Sequence, residues 1–419
     1  MAYHYPPARS AGAARTTAFL RYLPACGYRC QVLTTSAFGG EDDVLRAWEP
    51  LSLYRWLFNR QVRSGKGHSA VRTRRGLLSR IGRALFIPDL QVSWLPAAFA
   101  RGLRYLRSND CDVIYTSFPP ASAHLLGYLL QRVTGLPWVA DFRDAWIFDP
   151  LDVYLEEDSL RKRLEECIER RVVASASAIV VASQEVADYL CTRYAAHADR
   201  VRVISNGFDG EWPDRSRPSQ SAGPMRLLHA GSFSYSHPRR SPKVLFDALG
   251  RLLQEDARWN QRLKVVLVGL LSEREAAWAD PLVRSGIVQI EGVVERDRAL
   301  EMQGSAHALL VVDHMRPWTS TNVPSKVYEY LAQGRPILSL GGRGAVGRLI
   351  TELKAGIHVP GDDTDAVCAA LKSLCDAHER GALPAGVSEE ALRPFHRRSL
   401  THALAACFDS VIQEAAPCK

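Results

Sequence analysis

The chain has 419 residues, of which 47% are hydrophobic and 23% are charged. This composition is typical of a globular protein and excludes collagen, coiled coil and extended disorder, while the length suits two domains better than a single core. No apolar run approaches the roughly 20 residues that a helix needs to span a bilayer, and the segment Met1–Arg9 lacks the pattern of a signal peptide. We therefore expect a cytoplasmic protein.

Nine cysteines are scattered along the chain without a CxxC pair, which suits free thiols in a reducing compartment. No Cys or His pairs have the spacing of zinc ligands, so we expect no zinc site. We also expect no cofactor. The 53 Lys and Arg against 45 Asp and Glu give a net charge of +8. That excess admits nucleic acid, an anionic membrane or an anionic substrate as the partner.

The first element is a loop, Tyr5–Arg15, which Pro and Gly interrupt before a helix. It lacks the GxGxxG fingerprint of a simple dehydrogenase, and it either faces phosphates or an acceptor or is a plain strand-to-helix turn. A first strand should precede it, but only Met1–Tyr5 is available. Either this strand is very short or the natural chain begins upstream, and we favour the second interpretation.

Short apolar runs then alternate with amphipathic stretches. Runs without polar alternation indicate strands buried on both faces, and their alternation with helices indicates parallel sheets. The predicted strands of the first half are Cys30–Thr34, Val113–Ser117, Trp138–Asp141, Ala178–Ala182 and Val201–Ser205. Those of the second half are Leu227–Ala230, Lys264–Val268, Val288–Glu291, Ala308–Val312, Pro336–Leu340 and Gly356–Val359. The clearest predicted helices are Leu160–Ala174, Lys243–Gln254 and Asp365–Ala377.

The segment 50–88 carries nine Lys or Arg and no Asp or Glu, with apolar residues such as Trp56 and Phe86 interleaved. This is a basic amphipathic pattern that can lie on an anionic leaflet. The alternatives are a solvated loop with an ordinary helix, and nucleic acid, for which no reader motif is present. We expect peripheral contact with the inner face of the membrane and no nucleic acid.

The sequence DFRDAW, which runs from Asp141 to Trp146, ends a buried strand. Two carboxylates and Arg143 at the carboxyl end of a strand are unfavourable unless they are paired or used, and ligands bind at that end of parallel sheets. A functional role for Arg143 and Asp144, with Asp141 and Trp146 lining the site, is one interpretation. The other is a salt bridge from Arg143 that only holds the loop.

The first half ends at Asn206-Gly207, a turn signal that we expect to line a cleft or act as a hinge. The segment 212–224 is then rich in Pro, Ser and charge, which indicates a linker. We therefore predict an N-terminal domain at 1–212, a C-terminal domain at 213–388 and terminal helices at 389–419. Both domains are expected to be doubly wound α/β folds that face each other across a cleft.

In the second half, Gly231 directly follows a predicted strand, and Arg239 and Arg240 precede a helix. Glycine lets the backbone approach a ligand, and arginine binds a diphosphate through two parallel hydrogen bonds. The alternative is a pair of solvated arginines. Together these residues predict a phosphate site.

The stretch VPSKVYEYLAQGRPIL contains a helix start at Pro324, Ser325 and Lys326. The free N–H groups of a helix start bind anions, and the nearby carboxylate of Glu329 is able to accept hydrogen bonds from a ribose diol. The alternative is an ordinary surface glutamate on an ordinary helix. This stretch is the best sequence evidence for a nucleotide.

These segments, in this order, resemble the retaining glycosyltransferases of family 4, which have the two-domain GT-B fold. The resemblance implies that the C-terminal domain binds a nucleotide sugar, that the N-terminal domain binds the acceptor, and that the terminal helices cross back to the first domain. The motif match places Glu329 at the second glutamate of the E-x7-E pattern and Thr321 at the first. Arg143 stands where many members carry a histidine, and Asp144 follows it.

The same resemblance assigns the donor site. Pro324, Ser325 and Lys326 match the turn whose backbone meets the diphosphate, and Arg240, Arg239 and Lys326 match the cations around it. Gly12 matches the glycine of the N-terminal loop. We therefore expect Gly12 and Gly231 at the donor, and we take Arg143, Asp144, Arg240 and Lys326 as the catalytic candidates.

The chemistry follows from charge. Cleavage of the sugar–phosphate bond leaves negative charge on the diphosphate, which fixed N–H groups, Arg240 and Lys326 would stabilise. No Asp-x-Asp stands at a suitable strand end and no nucleophile is evident, which favours transfer without a metal and with retention. We expect a saccharide, lipid-linked or small-molecule acceptor in cell-surface polysaccharide or glycolipid assembly.

Two other functions remain open. A nucleotide-sugar epimerase shares the two-domain architecture and would need no acceptor. A non-catalytic module that binds a sugar nucleotide or a membrane is also compatible with Thr321, which stands where a carboxylate is expected.

Overall fold

The computed structural model describes residues 1–8, 11–40, 43–50, 86–149, 159–210, 212, 223–237 and 239–415. The chain divides into two compact units: the first is Met1–Asn206 with Arg397–Lys419, and the second is Gly207–His396. The unit boundaries at 206/207 and 396/397 stand beside predicted domain boundaries at 212/213 and 388/389. Most of the basic segment 50–88 and of the linker 212–224 lies outside the described residues.

The strands of the first unit are short and parallel. They are β1 (Leu33–Thr35), β2 (Leu45–Ala47), β3 (Ile114–Phe118), β4 (Trp138–Phe142), β5 (Ala178–Val181) and β6 (Val201–Val203). Four of them form a sheet in the order β3-β4-β5-β6, and β1 pairs with β2. Every residue of β4 and β5 is buried, as their apolar character predicts, and the buried residues of β4 include Asp141.

Residues 1–3 lie between β1 and β3. The amide of Ala2 donates to the Leu33 carbonyl at 3.1 Å, and the amide of Ser117 donates to the Met1 carbonyl at 3.2 Å. These residues therefore occupy the position of the first strand that the sequence requires before the predicted loop Tyr5–Arg15. The end of that predicted loop, from Ala11 on, is helical in the structure.

Helices connect these strands. They are α1 (Ala11–Tyr22), α2 (Leu95–Ser108), α3 (Ala121–Thr134), α4 (Leu160–Ser175) and α5 (Gln184–Arg193). Short 3-10 turns lie at Leu23–Cys26, Ser36–Phe38, Leu90–Trp94 and Ala195–Arg200. Ser159 and Ser183 are the N-caps of α4 and α5, and their hydroxyls accept from the amides of Lys162 and Val186. Such serine caps satisfy amides that a helix start leaves unpaired.

The second unit contains a six-stranded parallel sheet. Its strands are β7 (Met225–Ala230), β8 (Leu263–Val268), β9 (Val288–Gly292), β10 (Ala308–Val312), β11 (Ile337–Gly341) and β12 (Gly356–Pro360). Their order is β12-β11-β10-β7-β8-β9, the doubly wound order of dinucleotide-binding folds. The strands β8 and β9 are added on one side of β7, and β10, β11 and β12 are added on the other. The switch point therefore lies between β7 and β10, and ligands of such sheets bind there.

Helices cover both faces of this sheet. They are α6 (Lys243–Glu255), α7 (Trp259–Arg262), α8 (Glu273–Arg284), α9 (Arg296–Gly304), α10 (Ser325–Ala332), α11 (Ala345–Glu352), α12 (Thr364–Glu379) and α13 (Glu389–Leu392). A 3-10 turn at Arg393–Phe395 follows α13. Adjacent residues of β7 belong to different cores: Leu227 packs with Leu249 and Leu371, whereas Leu228 packs with Val327 and Leu331. The two-residue period of a strand produces this division.

The last helix, α14 (Arg397–Ala415), belongs to the first unit. Its residues Leu404 and Phe408 pack in one buried cluster with Phe19 of α1 and with Val139 and Val180 of the sheet. No helix within the described part of the chain is long and apolar enough to cross a membrane.

All eleven predicted strands are present, with ends that differ from the prediction by three residues at most. The sequence did not predict β2, because the sequence Leu-Arg-Ala has no apolar run to mark it. The predicted α/β fold of two doubly wound domains agrees with this architecture.

Candidate functional site

Two glycines line the carboxyl ends of β7 and β8 in the second unit. Gly231 has φ +113° and Gly269 has φ +132°, a backbone region that L-residues avoid. A Cβ on Gly269 would lie 2.6 Å from the Gly231 carbonyl oxygen. The strand ends thus approach closely and expose bare backbone at the predicted phosphate site.

The predicted helix start, α10, is fixed against the end of β7. Pro324 precedes the helix, and no side chain caps its first turn. The Tyr330 hydroxyl accepts from the Ala230 amide at 2.7 Å. One turn earlier on the same face, the Lys326 ammonium lies 3.4 Å from the Ala230 carbonyl oxygen, and a Cβ on Gly231 would lie 3.5 Å from it. The structure therefore brings Gly231, Pro324, Ser325 and Lys326 together.

We call the predicted phosphate site around Gly231 and Lys326 the donor pocket. Arg240 is the second cation of this pocket. Its Nη2 lies 3.6 Å from Oδ1 of Asp313, which directly follows β10. Arg240 is 8% exposed and Asp313 is 7% exposed. The Arg240 Nε has no hydrogen-bond partner among the described residues. This pocket therefore holds a buried donor that a bound anion is able to satisfy.

The charges of the pocket are perturbed. Burial lowers the pKa of Lys326 to about 7, and the charge of Arg240 acts in the same direction. Burial also lowers the pKa of Arg240. Burial opposes ionisation of Asp313, but the hydrogen bond from His314 and the charges of His314 and Arg240 outweigh it and lower the pKa of Asp313. Two cations and one carboxylate leave this pocket positive, which suits a diphosphate.

Sequence reasoning missed the histidines beside these charges. The rings of His237 and His314 stack with centroids 4.4 Å apart, and the Nδ1 of His314 lies 2.9 Å from Asp313. Burial lowers the pKa of His237 to about 4, with a further contribution from His314. His314 directly follows Asp313 after β10, so a polar pair at the switch-point strand was the available signal.

Arg239 lies beside this pocket. Its guanidinium carbon is 5.9 Å from the centre of the Trp318 ring. It also lines a cavity of about 280 Å³ together with Lys243, Asp313 and Asp362. Its contact with a donor diphosphate stays a prediction.

Glu329 lies on α10, with 23% of its side chain exposed. Its Oε1 accepts from Arg296 at 2.7 Å, and the side chain of Arg296 is 67% exposed. The salt bridge is therefore open to exchange with a ligand, and the ribose contact of Glu329 stays a prediction. Thr321 is 2% exposed.

In the first unit, Asp141 is part of a buried network that sequence reasoning missed. Arg15 of α1 donates to both carboxylate oxygens of Asp141 at 3.0 Å and to the Ser205 carbonyl at 2.6 Å. It also donates to Asn206 Oδ1 at 3.4 Å. Arg15 thus joins two predicted acceptor residues. A charged residue directly after the small residues at the start of α1 was its only signal.

Gly12 and the pair Arg143–Asp144 lie together. A Cβ on Gly12 would lie 1.9 Å from Nη1 of Arg143, so any other residue at this position would displace the guanidinium from where it lies. The Nε of Arg143 lies 3.4 Å from Asp144. The salt bridge that the sequence offered as the alternative is therefore formed, and a catalytic role of either residue stays a prediction.

Trp146 lies inside the first unit. It is 3% exposed, and its indole N–H donates to Glu165 at 2.8 Å. Asp141 is 0% exposed. Both residues are satisfied within the fold, and their contact with an acceptor stays a prediction. Among the described residues, no group of three or more His, Cys, Asp and Glu is placed to hold a metal ion.

Family models match both halves of the chain. The model described as Glycosyltransferase Family 4 matches residues 12–212, and the model described as Glycosyl transferases group 1 matches residues 224–377. A D-inositol 3-phosphate glycosyltransferase of Frankia alni is 26% identical over 233 residues, which are 52% of this chain and 55% of the relative. The match to a second such relative, of Catenulispora acidiphila, covers 65% of that protein. The chain thus spans less than two thirds of the length of these relatives.

Solved structures share the fold. A glycosyltransferase from Rickettsia africae superposes with a TM-score of 0.61 at 14% identity, covering 96% of each chain. Anabaena HepE, solved in complex with UDP, superposes with a TM-score of 0.50 at 17% identity, covering 76% of this chain and 80% of that protein. Because the matched segments span both doubly wound units, the chain belongs to glycosyltransferase family 4 and has the GT-B fold.

Proposed function

We propose that the protein transfers a hexose from a nucleotide-sugar donor to an acceptor, with retention and without a metal ion. The observation that carries the proposal is a pair of cations, the half-buried Lys326 and the buried Arg240, beside the bare backbone of Gly231 at the switch point of the second sheet. The diphosphate of a nucleotide carries the negative charge that would balance these two cations.

The reaction follows from the charges. The bond between the anomeric carbon and the β-phosphate oxygen breaks, and the nucleoside diphosphate leaves with the bonding electrons. The acceptor oxygen bonds to the anomeric carbon on the same face, and its proton passes to the departing phosphate oxygen. Lys326, Arg240 and the N–H groups at the start of α10 stabilise the charge that develops on the diphosphate.

The comparisons suggest which substrates to test first. HepE was solved with UDP, and the curated relatives are described as acting on D-inositol 3-phosphate. We therefore propose UDP-sugars as the first donors, with phosphorylated polyols, free saccharides and lipid-linked saccharides as acceptors. The biological setting that we propose is cell-surface polysaccharide or glycolipid assembly.

Activity assays with single variants test the proposal. We expect Arg240→Ala and Lys326→Ala to lower turnover about 100-fold or more, because each removes a charge that stabilises the leaving group. Arg258→Ala, an exposed arginine outside the pocket, is the matched control. NMR of the product gives the anomeric configuration, and unchanged activity in EDTA supports transfer without a metal.

Full turnover by both pocket variants would contradict the proposal. Release of an epimerised sugar without acceptor would identify an epimerase, and donor binding without any turnover a non-catalytic module.

We also propose that the first unit contacts an anionic membrane surface. The basic segment 50–88 lies mostly outside the described residues, but α4 lies beside its end, because Arg161 donates to the Pro88 carbonyl at 2.6 Å. Leu160 and Leu164 of α4 are 76% and 43% exposed. We expect the protein to float with anionic vesicles and not with neutral ones, and a Leu160→Ser/Leu164→Ser variant to float less. No flotation with anionic vesicles removes this part of the proposal.

A further inference from the structure

His229 is a buried residue of β7 that the proposed chemistry does not yet use. It is 0% exposed, and its ring stacks on Phe233 with centroids 4.3 Å apart and planes 14° apart. Its Nδ1 lies 2.9 Å from the Leu310 carbonyl oxygen on the neighbouring strand β10. Two strands and an aromatic ring therefore fix the orientation of this imidazole.

The hydrogen bond to Leu310 also fixes the tautomer. A carbonyl oxygen only accepts, so the proton of the neutral ring lies on Nδ1 and the lone pair lies on Nε2. Burial lowers the pKa of His229 well below its ordinary value, and the charge of Lys326 acts in the same direction, whereas the Leu310 and Gly231 backbones oppose it. The ring is therefore neutral at pH 7 and presents an acceptor on Nε2.

That acceptor faces Lys326. The Lys326 ammonium lies 3.4 Å from the His229 Nε2 and 3.4 Å from the Ala230 carbonyl oxygen. These two contacts use two of its three N–H groups and leave the third for a ligand. We propose that His229 is a positioning residue that holds the Lys326 ammonium over Gly231, where the donor diphosphate departs. This inference rests on the proposed function.

The alternative is that His229 only fills the core beside Phe233. The two roles differ in their effect on proton binding. The charged and titratable groups that face Lys326 are His229 of β7, Arg240 before α6 and Asp313 after β10. With the pKa of Lys326 near 7, an arriving diphosphate draws a proton onto this amine at neutral and higher pH. An acceptor on Nε2 favours that proton, and a ring that only packs does not affect it.

The experiment measures nucleotide affinity against pH. UDP, ADP, GDP and dTDP are titrated by calorimetry between pH 6 and pH 9, in buffers of different ionisation enthalpy that report proton uptake. For the wild type we expect proton uptake on binding and an affinity that falls as the pH rises above 7. Lys326→Arg keeps its charge throughout and reports the titration of the nucleotide itself.

The variants separate positioning from packing. His229→Phe keeps the ring on Phe233 and removes the acceptor, so we expect near-normal affinity at pH 6 and about a tenfold loss at pH 8. His229→Gln keeps an acceptor near the position of Nε2 and should restore part of the affinity at pH 8. His402→Phe, an exposed histidine of α14, is the control.

Each result decides between the two roles. A His229→Phe variant with the wild-type pH profile overturns the inference while the proposed function stands. No binding of any of the four nucleotides to the wild type at pH 6 overturns the function and the inference with it. If His229→Phe does not fold, nitrogen NMR of the wild type decides: an imidazole protonated on Nε2 and bare on Nδ1 overturns the inference.

Discussion

At the scale of single residues, one motif contains both residues that are candidates for catalysis and residues that stabilise the fold. DFRDAW contains Asp141, which Arg15 pairs inside the fold, and Arg143, which lies against Gly12. The sequence predicts that charges at a strand end are paired or used. It does not tell which of the two applies, because the partner, Arg15, is distant in the chain and belongs to another element.

Glu169 of α4 is a buried carboxylate whose state depends on pH. It is 1% exposed, and its Oε1 accepts from the Tyr194 hydroxyl at 2.8 Å. Burial raises the pKa of Glu169 to about 7, against an opposing contribution from that hydrogen bond. The folded chain thus holds a proton that the unfolded chain, with a pKa near 4.5, releases. The stability that this proton provides is present below pH 4.5 and is lost as the pH rises through 7.

We expect Glu169→Gln to remove this loss. The difference in pKa corresponds to about 3 kcal/mol, so the variant should gain stability relative to the wild type by an amount of that order between pH 5 and pH 8. Urea unfolding of both proteins at the two pH values measures it. Glu414→Gln, an exposed carboxylate of the same unit, is the matched control. A constant difference between wild type and Glu169→Gln across this range would show that Glu169 does not titrate as described.

At the scale of elements, the sequence predicts the positions of strands better than it predicts the contacts between distant elements. The unbroken apolar runs of β5 and β10 locate buried parallel strands, because both faces of each strand are covered. The helix start at Pro324 follows from local sequence as well. Its anchor does not, because Tyr330 reaches the amide of Ala230 across 100 positions of the chain.

The geometry of α10 also explains why Lys326 lies in the predicted donor site. Lys326 and Tyr330 are four residues apart and therefore lie on one face of the helix. The hydrogen bond from the Ala230 amide to the Tyr330 hydroxyl fixes that face against the end of β7, which places Lys326 beside Gly231 and His229. Spacing on the helix was readable from sequence, whereas the identity of the facing strand required the order β10-β7-β8 of the sheet.

At the scale of the whole molecule, the chain leaves the first unit near residue 206 and returns to it near residue 397. The returning helix α14 packs on the sheet of the first unit. Its Leu404 and Phe408 are 0% and 4% exposed because they pack on Phe19, Val139 and Val180. The apolar spacing of α14 predicts a buried face, but the pattern alone does not name the unit that covers it.

This packing predicts that damage to α14 acts on the first unit alone. Phe408→Ala should destabilise that unit by about 3–5 kcal/mol, the usual effect of truncating a buried phenylalanine. Phe246→Ala in α6 is the matched control, since Phe246 is also 4% exposed but packs in the core of the second unit. In hydrogen exchange, Phe408→Ala should lower the protection of β4 and β5 and leave β7 and β8 unchanged, and Phe246→Ala should do the opposite. Unchanged protection of β4 and β5 on changing Phe408 would refute the assignment of α14 to the first unit.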